Sequence, residues 1–155
     1  GAGDGTFSTP ISRIVGDRPS GVAVGSFNDD VFADLAVANS AEGTVSVLVG
    51  FGDGQFAYPG EVTLEPGLGD LKTAFLDCDG LADVIVAATS TDRIWVLRGQ
   101  GGGDFVPLGT GFETCDSPVE LELGDLNGDT FWDVVVPCSF VDTVAVHLGR
   151  EATGD

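Results

Sequence analysis

The sequence is poor in positive charge, in methionine and in long apolar runs. Six Lys and Arg residues stand against 25 Asp and Glu in 155 residues, a formal net charge of −19. Nucleic acids and anionic membranes attract basic surfaces, so this balance argues against binding to either. No apolar run approaches the roughly 20 residues of a membrane-spanning helix, so we expect no membrane insertion. The lack of any methionine suggests a processed product or a segment of a longer chain.

The sequence also lacks any window of helical period, and it contains a tandem repeat. Its apolar runs are short and β-branched, and Gly, Asp or Asn residues bound them, as is typical of strands. Segments 21–56, 71–105 and 119–149 align with one another. Anchors recur every 49 or 50 residues: Phe7, Phe56 and Phe105; Asp34, Asp83 and Asp133; Gly50, Gly99 and Gly149.

Four strands are predicted in the first repeat: A at 22–27, B at 34–38, C at 44–49 and D at 55–64. Four short strands in about 50 residues form the repeat unit of a β-propeller blade. We therefore predict an all-β fold of three four-stranded antiparallel blades of about 49 residues. These blades would be half of a six-bladed ring or a segment of a larger propeller.

The phase of the repeat predicts the organisation of residues 1–155 as a single domain. Its parts are a D strand of a neighbouring blade at 6–15, blade 1 at 21–64, blade 2 at 70–113, and blade 3 at 119–149 without its own D strand. Three blades are too few to close a ring, since rings of roughly 4–8 blades are typical. Two alternatives follow. Either a homodimer exchanges D strands to complete a six-bladed ring, or the segment belongs to a longer propeller.

The connections between strands A and B, which we name the A–B loops (26–34, 75–83 and 125–133), are rich in oxygen side chains. The third places Asp125, Asn127, Asp129 and Asp133 at loop positions 1, 3, 5 and 9, with the carbonyl of Phe131 near position 7. Such a loop can surround one hard cation, and Ca²⁺ tolerates 6–8 oxygen ligands better than Mg²⁺ does. The alternative is that Asp, Asn and Gly only form tight turns here.

The other two loops carry weaker versions of the same pattern. The first offers Ser26, Asn28, Asp30 and Asp34, and the second offers Asp77, Asp79 and Asp83. Ser26 is an uncharged ligand at position 1, and Phe75 supplies none there. We therefore expect calcium affinity to fall from the third loop to the first and then to the second, which could remain empty.

This pattern, followed by a Gly-rich turn and Phe, resembles the FG-GAP/VCBS repeat of integrin α-subunit head propellers and bacterial secreted or surface proteins. The resemblance implies calcium ligation by the third set, and by the first set with the carbonyl of Phe32. Val31 and Thr130 depart from the family, which usually has Gly there. The resemblance also implies an extracellular or cell-surface module that binds a protein or carbohydrate ligand in adhesion, with structural calcium.

Two other roles remain open at the level of sequence. The chain could be a purely structural propeller segment of a larger extracellular protein or enzyme, a hydrolase or lyase. No nucleophile elbow or phosphate-binding loop is present, so we predict no enzymatic activity and no catalytic residue. The lone histidine, His147, aligns with Leu48 and Leu97 and is expected to pack.

Cysteine and tryptophan positions give the remaining expectations. By blade topology, Cys115 and Cys138 fall on the same face and could form a disulfide, consistent with an oxidising compartment. Cys78 falls on the opposite face and should be free. The alternative is three unpaired thiols. Trp95 and Trp132 break the repeat pattern, so they are candidate ligand contacts, although packing between blades would also explain them.

Overall fold

A computed structural model describes residues 3–77 and 79–150, apart from the side chain of Pro59. In the described residues there are twelve strands and no helix, so the prediction of an all-β fold is confirmed. Accordingly, this part of the chain contains no helix long and apolar enough to cross a membrane.

The strands form three antiparallel sheets, none of which is closed. The first contains β1 (Pro19–Gly25), β2 (Asp34–Asn39), β3 (Thr44–Gly50) and β4 (Phe56–Thr63), in that order. The second contains β5 (Leu68–Ala74), β6 (Asp83–Ala88), β7 (Arg93–Gly101) and β8 (Asp104–Pro107), with β9 (Phe112–Glu113) also paired to β7. The third contains β10 (Glu122–Gly124), β11 (Asp133–Cys138) and β12 (Thr143–His147).

Equivalent residues pair in the same register in all three sheets. Leu35 faces Leu48 across β2 and β3, Val84 faces Leu97 across β6 and β7, and Val134 faces His147 across β11 and β12. A slip of one residue would turn every side chain to the opposite face of its sheet. Because the three registers agree, equivalent residues of the repeats lie on the same face of each sheet.

The second sheet lies between the other two and is buried on both faces. Every residue of β6 is buried, which explains its continuous apolar sequence rather than an alternating one. Val84 and Val86 belong to a core shared with Ala36, Ala38, Val45 and Val47 of the first sheet. On the opposite face, Ile85, Ala87 and Ile94 pack with Leu121, Val134 and Val136 of the third sheet.

The outward face of the third sheet is apolar but exposed. Val144 is 61% exposed and Val146 is 51% exposed. Their register equivalents in the first sheet, Val45 and Val47, are buried against the second sheet. The face that packs on the next sheet in the first two repeats is therefore uncovered in the third.

The predicted D strand at 6–15 is not a strand in this chain. Residues 6–15 pair with no sheet, and Phe7 and Ile14 are 89% and 94% exposed. A strand needs an edge to pair with, and β3 and β7 already pair with β4 and β8. The segment instead contacts the residue that precedes β4, through a hydrogen bond from the guanidinium group of Arg13 to the side-chain oxygen of Gln55.

A disulfide joins Cys115, which lies between β9 and β10, to Cys138 at the end of β11, with a Cα–Cα distance of 5.6 Å. Pro118 also forms an isolated bridge with Cys138, so the chain before β10 is held against β11 at two points. Cys78, expected to be a free thiol, lies outside the described residues.

Candidate metal centre

The three A–B loops connect the first two strands of their sheets, and all three contain the same turns. In the third loop, Asn127 Oδ1 accepts a hydrogen bond from Asp129 N, and Asp129 Oδ1 accepts one from Phe131 N, both at 2.9 Å. The corresponding bonds run to Asn28 and Asp30 in the first loop and to Asp77 and Asp79 in the second. Such bonds to the backbone two residues ahead are Asx turns. The turn-forming role of these side chains is therefore present in every loop.

The aspartate at position 9 of each loop is fully buried and accepts hydrogen bonds from two separate backbone segments, an arrangement that we call the clamp. Asp34 Oδ2 accepts a hydrogen bond from Phe27 N at 2.7 Å, and its Oδ1 accepts one from Gly50 N at 2.8 Å. Asp83 and Asp133 make the same two bonds, to Leu76 N and Gly99 N and to Leu126 N and Gly149 N, at 2.8–2.9 Å. The carboxylate thus joins the start of the A–B loop to the end of the third strand, 16 residues away.

The clamp also accounts for the repeated glycines. A Cβ atom on Gly50 would lie 2.2 Å from the carbonyl oxygen of Ala33, and one on Gly149 would lie 2.5 Å from that of Trp132. Both distances are shorter than any tolerable contact, because the loop backbone crosses directly over the glycine. The Asp and Gly residues recur along the sequence with the same 49- and 50-residue spacing. That shared spacing indicates their contact, but it was not interpreted as one from the sequence.

Asp125 at position 1 of the third loop binds the backbone of its own loop. Its Oδ1 accepts hydrogen bonds from Gly128 N at 2.7 Å and from Asp129 N at 3.2 Å, and its Oδ2 accepts one from Thr130 N at 3.0 Å. These bonds, led by that from Thr130, hold the pKa of Asp125 below its ordinary value. Thr130 adopts the left-handed backbone (φ 75°), which Gly80 adopts at lower cost at the equivalent position of the second loop.

The donor set of the third loop suits a hard cation by its chemistry, but its carboxylates do not converge. Across residues 3–77 and 79–150, no three His, Cys, Asp or Glu side chains are grouped closely enough to hold a metal ion. Asn127 Nδ2 donates to Asp129 Oδ2 at 2.8 Å instead. Asp125, Asn127 and Asp129 are exposed, so rotation of these side chains could aim their oxygens at a cation.

Residues 76–136, from the second A–B loop to the middle of β11, match the model of the FG-GAP-like repeat. This confirms the resemblance. The matched residues are similar to an FG-GAP-like repeat. No curated protein matches the sequence.

The second A–B loop, at the start of the matched FG-GAP-like segment, contains a guanidinium group where the others have none. Arg98 of β7 donates from Nε to Asp77 Oδ2 at 3.0 Å and also from Nη2 to the same oxygen. The hydrogen bond from Arg98 holds the pKa of Asp77 below its ordinary value. Phe75, at position 1, is 55% exposed and offers no oxygen ligand from its side chain.

The two tryptophans lie in different environments. Trp95 packs against the core between the first and second sheets, and its Nε1 donates to Glu65 Oε1 at 2.7 Å. Glu65 lies between β4 and β5, so Trp95 participates in packing between neighbouring sheets. Trp132 is 44% exposed in the third A–B loop. Of the two, Trp132 is the one accessible to a ligand.

His147 is half-buried on β12, where its Nε2 lies 2.9 Å from the hydroxyl of Thr114. Burial lowers its pKa below the ordinary value for histidine. Its partner is a single threonine hydroxyl, and it replaces the leucine of the other two repeats. This position is that of a packing residue.

We predict that Asp83→Asn destabilises the fold by about 1–3 kcal/mol, because an amide can accept only through its oxygen and leaves a buried N–H without an acceptor. Burial raises the pKa of Asp83 against the effect of its two backbone donors. Urea unfolding in a metal chelator measures the change. Asp104→Asn, an exposed position on β8, is the matched control. Equal unfolding midpoints for the two variants would contradict the clamp.

Proposed function

We propose that the chain is a calcium-binding β-propeller module of a secreted or surface protein, which acts in adhesion or in binding a protein or carbohydrate ligand. The observation that carries the proposal is the third A–B loop, where four oxygen side chains at positions 1, 3, 5 and 9 lie in an FG-GAP-like repeat. No catalytic step is part of the proposal.

The proposed calcium ligands are the oxygen sets of the loops. The third set comprises Asp125, Asn127, Asp129, Asp133 and the carbonyl of Phe131, and the first comprises Ser26, Asn28, Asp30, Asp34 and the carbonyl of Phe32. Asp77, Asp79 and Asp83 form the weakest set. The cation would supply positive charge where several carboxylates repel one another. Because binding would favour only the folded loop, its role is structural.

We further propose that the three sheets are propeller blades, with boundaries 21–64, 70–113 and 119–149. Two observations support this arrangement. Equivalent residues occupy the same face in each sheet, and the second sheet packs on both of its neighbours. The outward apolar face of the third sheet, with Val144 and Val146 exposed, suits a further blade. Val22 and Val24, each about 60% exposed on β1, suit another at the opposite end.

A second copy of the chain would supply those further blades in a six-bladed ring. Residues 6–15 align with β4, so in the partner they would pair along the open edge of β12. Burial of the exposed Phe7, Ile11 and Ile14 would favour this exchange. A longer chain that contains further blades would satisfy the same edges without a dimer.

An extracellular or cell-surface location is part of the proposal. The disulfide between Cys115 and Cys138 supports it, because such bonds persist mainly in oxidising compartments. The strongly acidic composition is compatible with a calcium-rich exterior. The alternative function, a purely structural propeller segment, is favoured by the position of Trp95 in packing rather than on a free surface.

We predict that calcium stabilises the protein and binds with a stoichiometry of two. At a free calcium concentration about 100 times the Kd of a site, that site adds about 2.7 kcal/mol to the free energy of unfolding. Calorimetric titration and thermal melting with and without a chelator measure both effects. Asp125→Asn combined with Asp129→Asn should remove one equivalent, whereas Asp53→Asn, outside the A–B loops, should remove none. A melting temperature unaffected by chelation would contradict the proposal.

We predict a dimer of twice 15.8 kDa in light scattering coupled to gel filtration. Val146→Lys should dissociate it, because the outward face of the third sheet would then carry a charge into the interface. Val106→Lys, at an exposed position of β8, should not. A folded monomer at concentrations of tens of micromolar would refute the dimer and favour the longer propeller.

We predict that a ligand, if it is a glycan, binds near Trp132, because exposed aromatic rings stack on sugar faces. A glycan array probed with and without calcium should give binding that Trp132→Ala reduces at least about tenfold, or about 1.4 kcal/mol. Phe140→Ala, at a more exposed aromatic outside the A–B loops, should leave it unchanged. Binding that does not depend on Trp132, or no binding to glycans at all, would favour a protein ligand or the structural alternative.

A further inference from the structure

We infer that Arg98 is the built-in cation of the second A–B loop and that its guanidinium group takes the place of a metal ion there. The inference rests on the proposed function for the comparison with the first and third loops. It assigns to β7 a residue that determines which loops of the array bind calcium.

Two departures from the repeat coincide in the second blade. At loop position 1, the first and third loops have Ser26 and Asp125. The second loop has Phe75 there, so it lacks an oxygen ligand at this position. On the third strand, Val49 and Leu148 correspond to Arg98, so the same blade has gained a positive charge. One substitution removes a metal ligand and the other supplies a cation, and they meet at the same loop.

The contacts of Asp77 show how the guanidinium group occupies the site. Its Oδ2 accepts hydrogen bonds from two N–H groups of Arg98, and its Oδ1 accepts one from Asp79 N at 3.2 Å. Both carboxylate oxygens at position 3 are therefore engaged. The Arg98 guanidinium group therefore forms an ion pair with the carboxylate at position 3 of the second A–B loop.

The electrostatic consequence is twofold. The guanidinium group offsets the repulsion between the loop carboxylates, a repulsion that the other two loops leave to an external cation. It also repels any divalent cation that approaches Asp77. An ordinary exposed ion pair contributes little to stability and would have no bearing on metal binding. Metal stoichiometry therefore distinguishes the two interpretations.

The decisive experiment restores the ligand, first alone and then together with removal of the cation. Calcium binding is measured by calorimetry for the wild type, Phe75→Asp, Phe75→Asp with Arg98→Val, and Phe75→Asp with Arg98→Lys. We expect three equivalents of calcium for Phe75→Asp with Arg98→Val and two for each of the other three proteins. Val reproduces the uncharged Val49 of the first sheet, whereas Lys keeps the positive charge. The third site of the Val variant should bind at least about tenfold tighter than any third site of Phe75→Asp alone. A third equivalent of equal affinity in Phe75→Asp alone, or no gain in the double variant, would overturn the inference.

Thermal melting in a chelator tests Arg98 separately from the proposed function. Without metal, Arg98→Val should lower the melting temperature more than Arg13→Val, which removes the same charge from the N-terminal segment. Equal melting temperatures for the two variants would overturn the inference. If a double variant fails to fold, this comparison of single variants still tests the inference. If the wild type binds no calcium, the proposed function fails, while the melting comparison still tests whether Arg98 neutralises the second loop.

Discussion

A buried aspartate carboxylate with two backbone N–H donors lies at the base of every A–B loop, and the geometry of each sheet depends on it. Asp34, Asp83 and Asp133 have no exposed surface, so their charge must be satisfied inside the protein. Two hydrogen bonds at 2.7–2.9 Å do so, and hydrogen bonds to a charged group are stronger than neutral ones. Because one bond goes to the loop and the other to the third strand, the carboxylate holds the candidate metal ligands over the end of the sheet.

The proposed calcium sites build on this clamp rather than replace it. Positions 3 and 5 form Asx turns in all three loops, so the loops can fold before any cation arrives. Calcium would then compete with weak hydrogen bonds among exposed side chains and relieve carboxylate repulsion in return. The second loop satisfies the same electrostatic need with Arg98. Under this proposal, the three loops share one scaffold and differ in the source of positive charge, which would be a bound cation in the first and third loops and Arg98 in the second.

The strands were predictable because their signals are local. Short β-branched runs between Gly, Asp and Asn placed strands B, C and D within one residue of the bounds of β2, β3 and β4, and strand A within three of β1. Residues 6–15, predicted as the D strand of a neighbouring blade, pair with no sheet of this chain, because strand formation requires a partner edge and a local pattern cannot say which edge that is. The oxygen sets of the loops were visible as a spacing. Their engagement in backbone bonds was not, since it depends on side-chain rotation in the folded loop.

The residues alone, read as a 49- or 50-residue repeat, determined the all-β class, the spacing of the repeat and the differences between the oxygen side chains of the three loops, because these depend on residue type and spacing. Tertiary structure decided the long-range contacts. Pairing of β6 with β7 brings Arg98 to Asp77, 21 residues away, and stacking of two sheets buries Trp95 against Glu65, 30 residues away. Such contacts arise from strand register and sheet packing, which bring together residues that show no shared pattern along the chain.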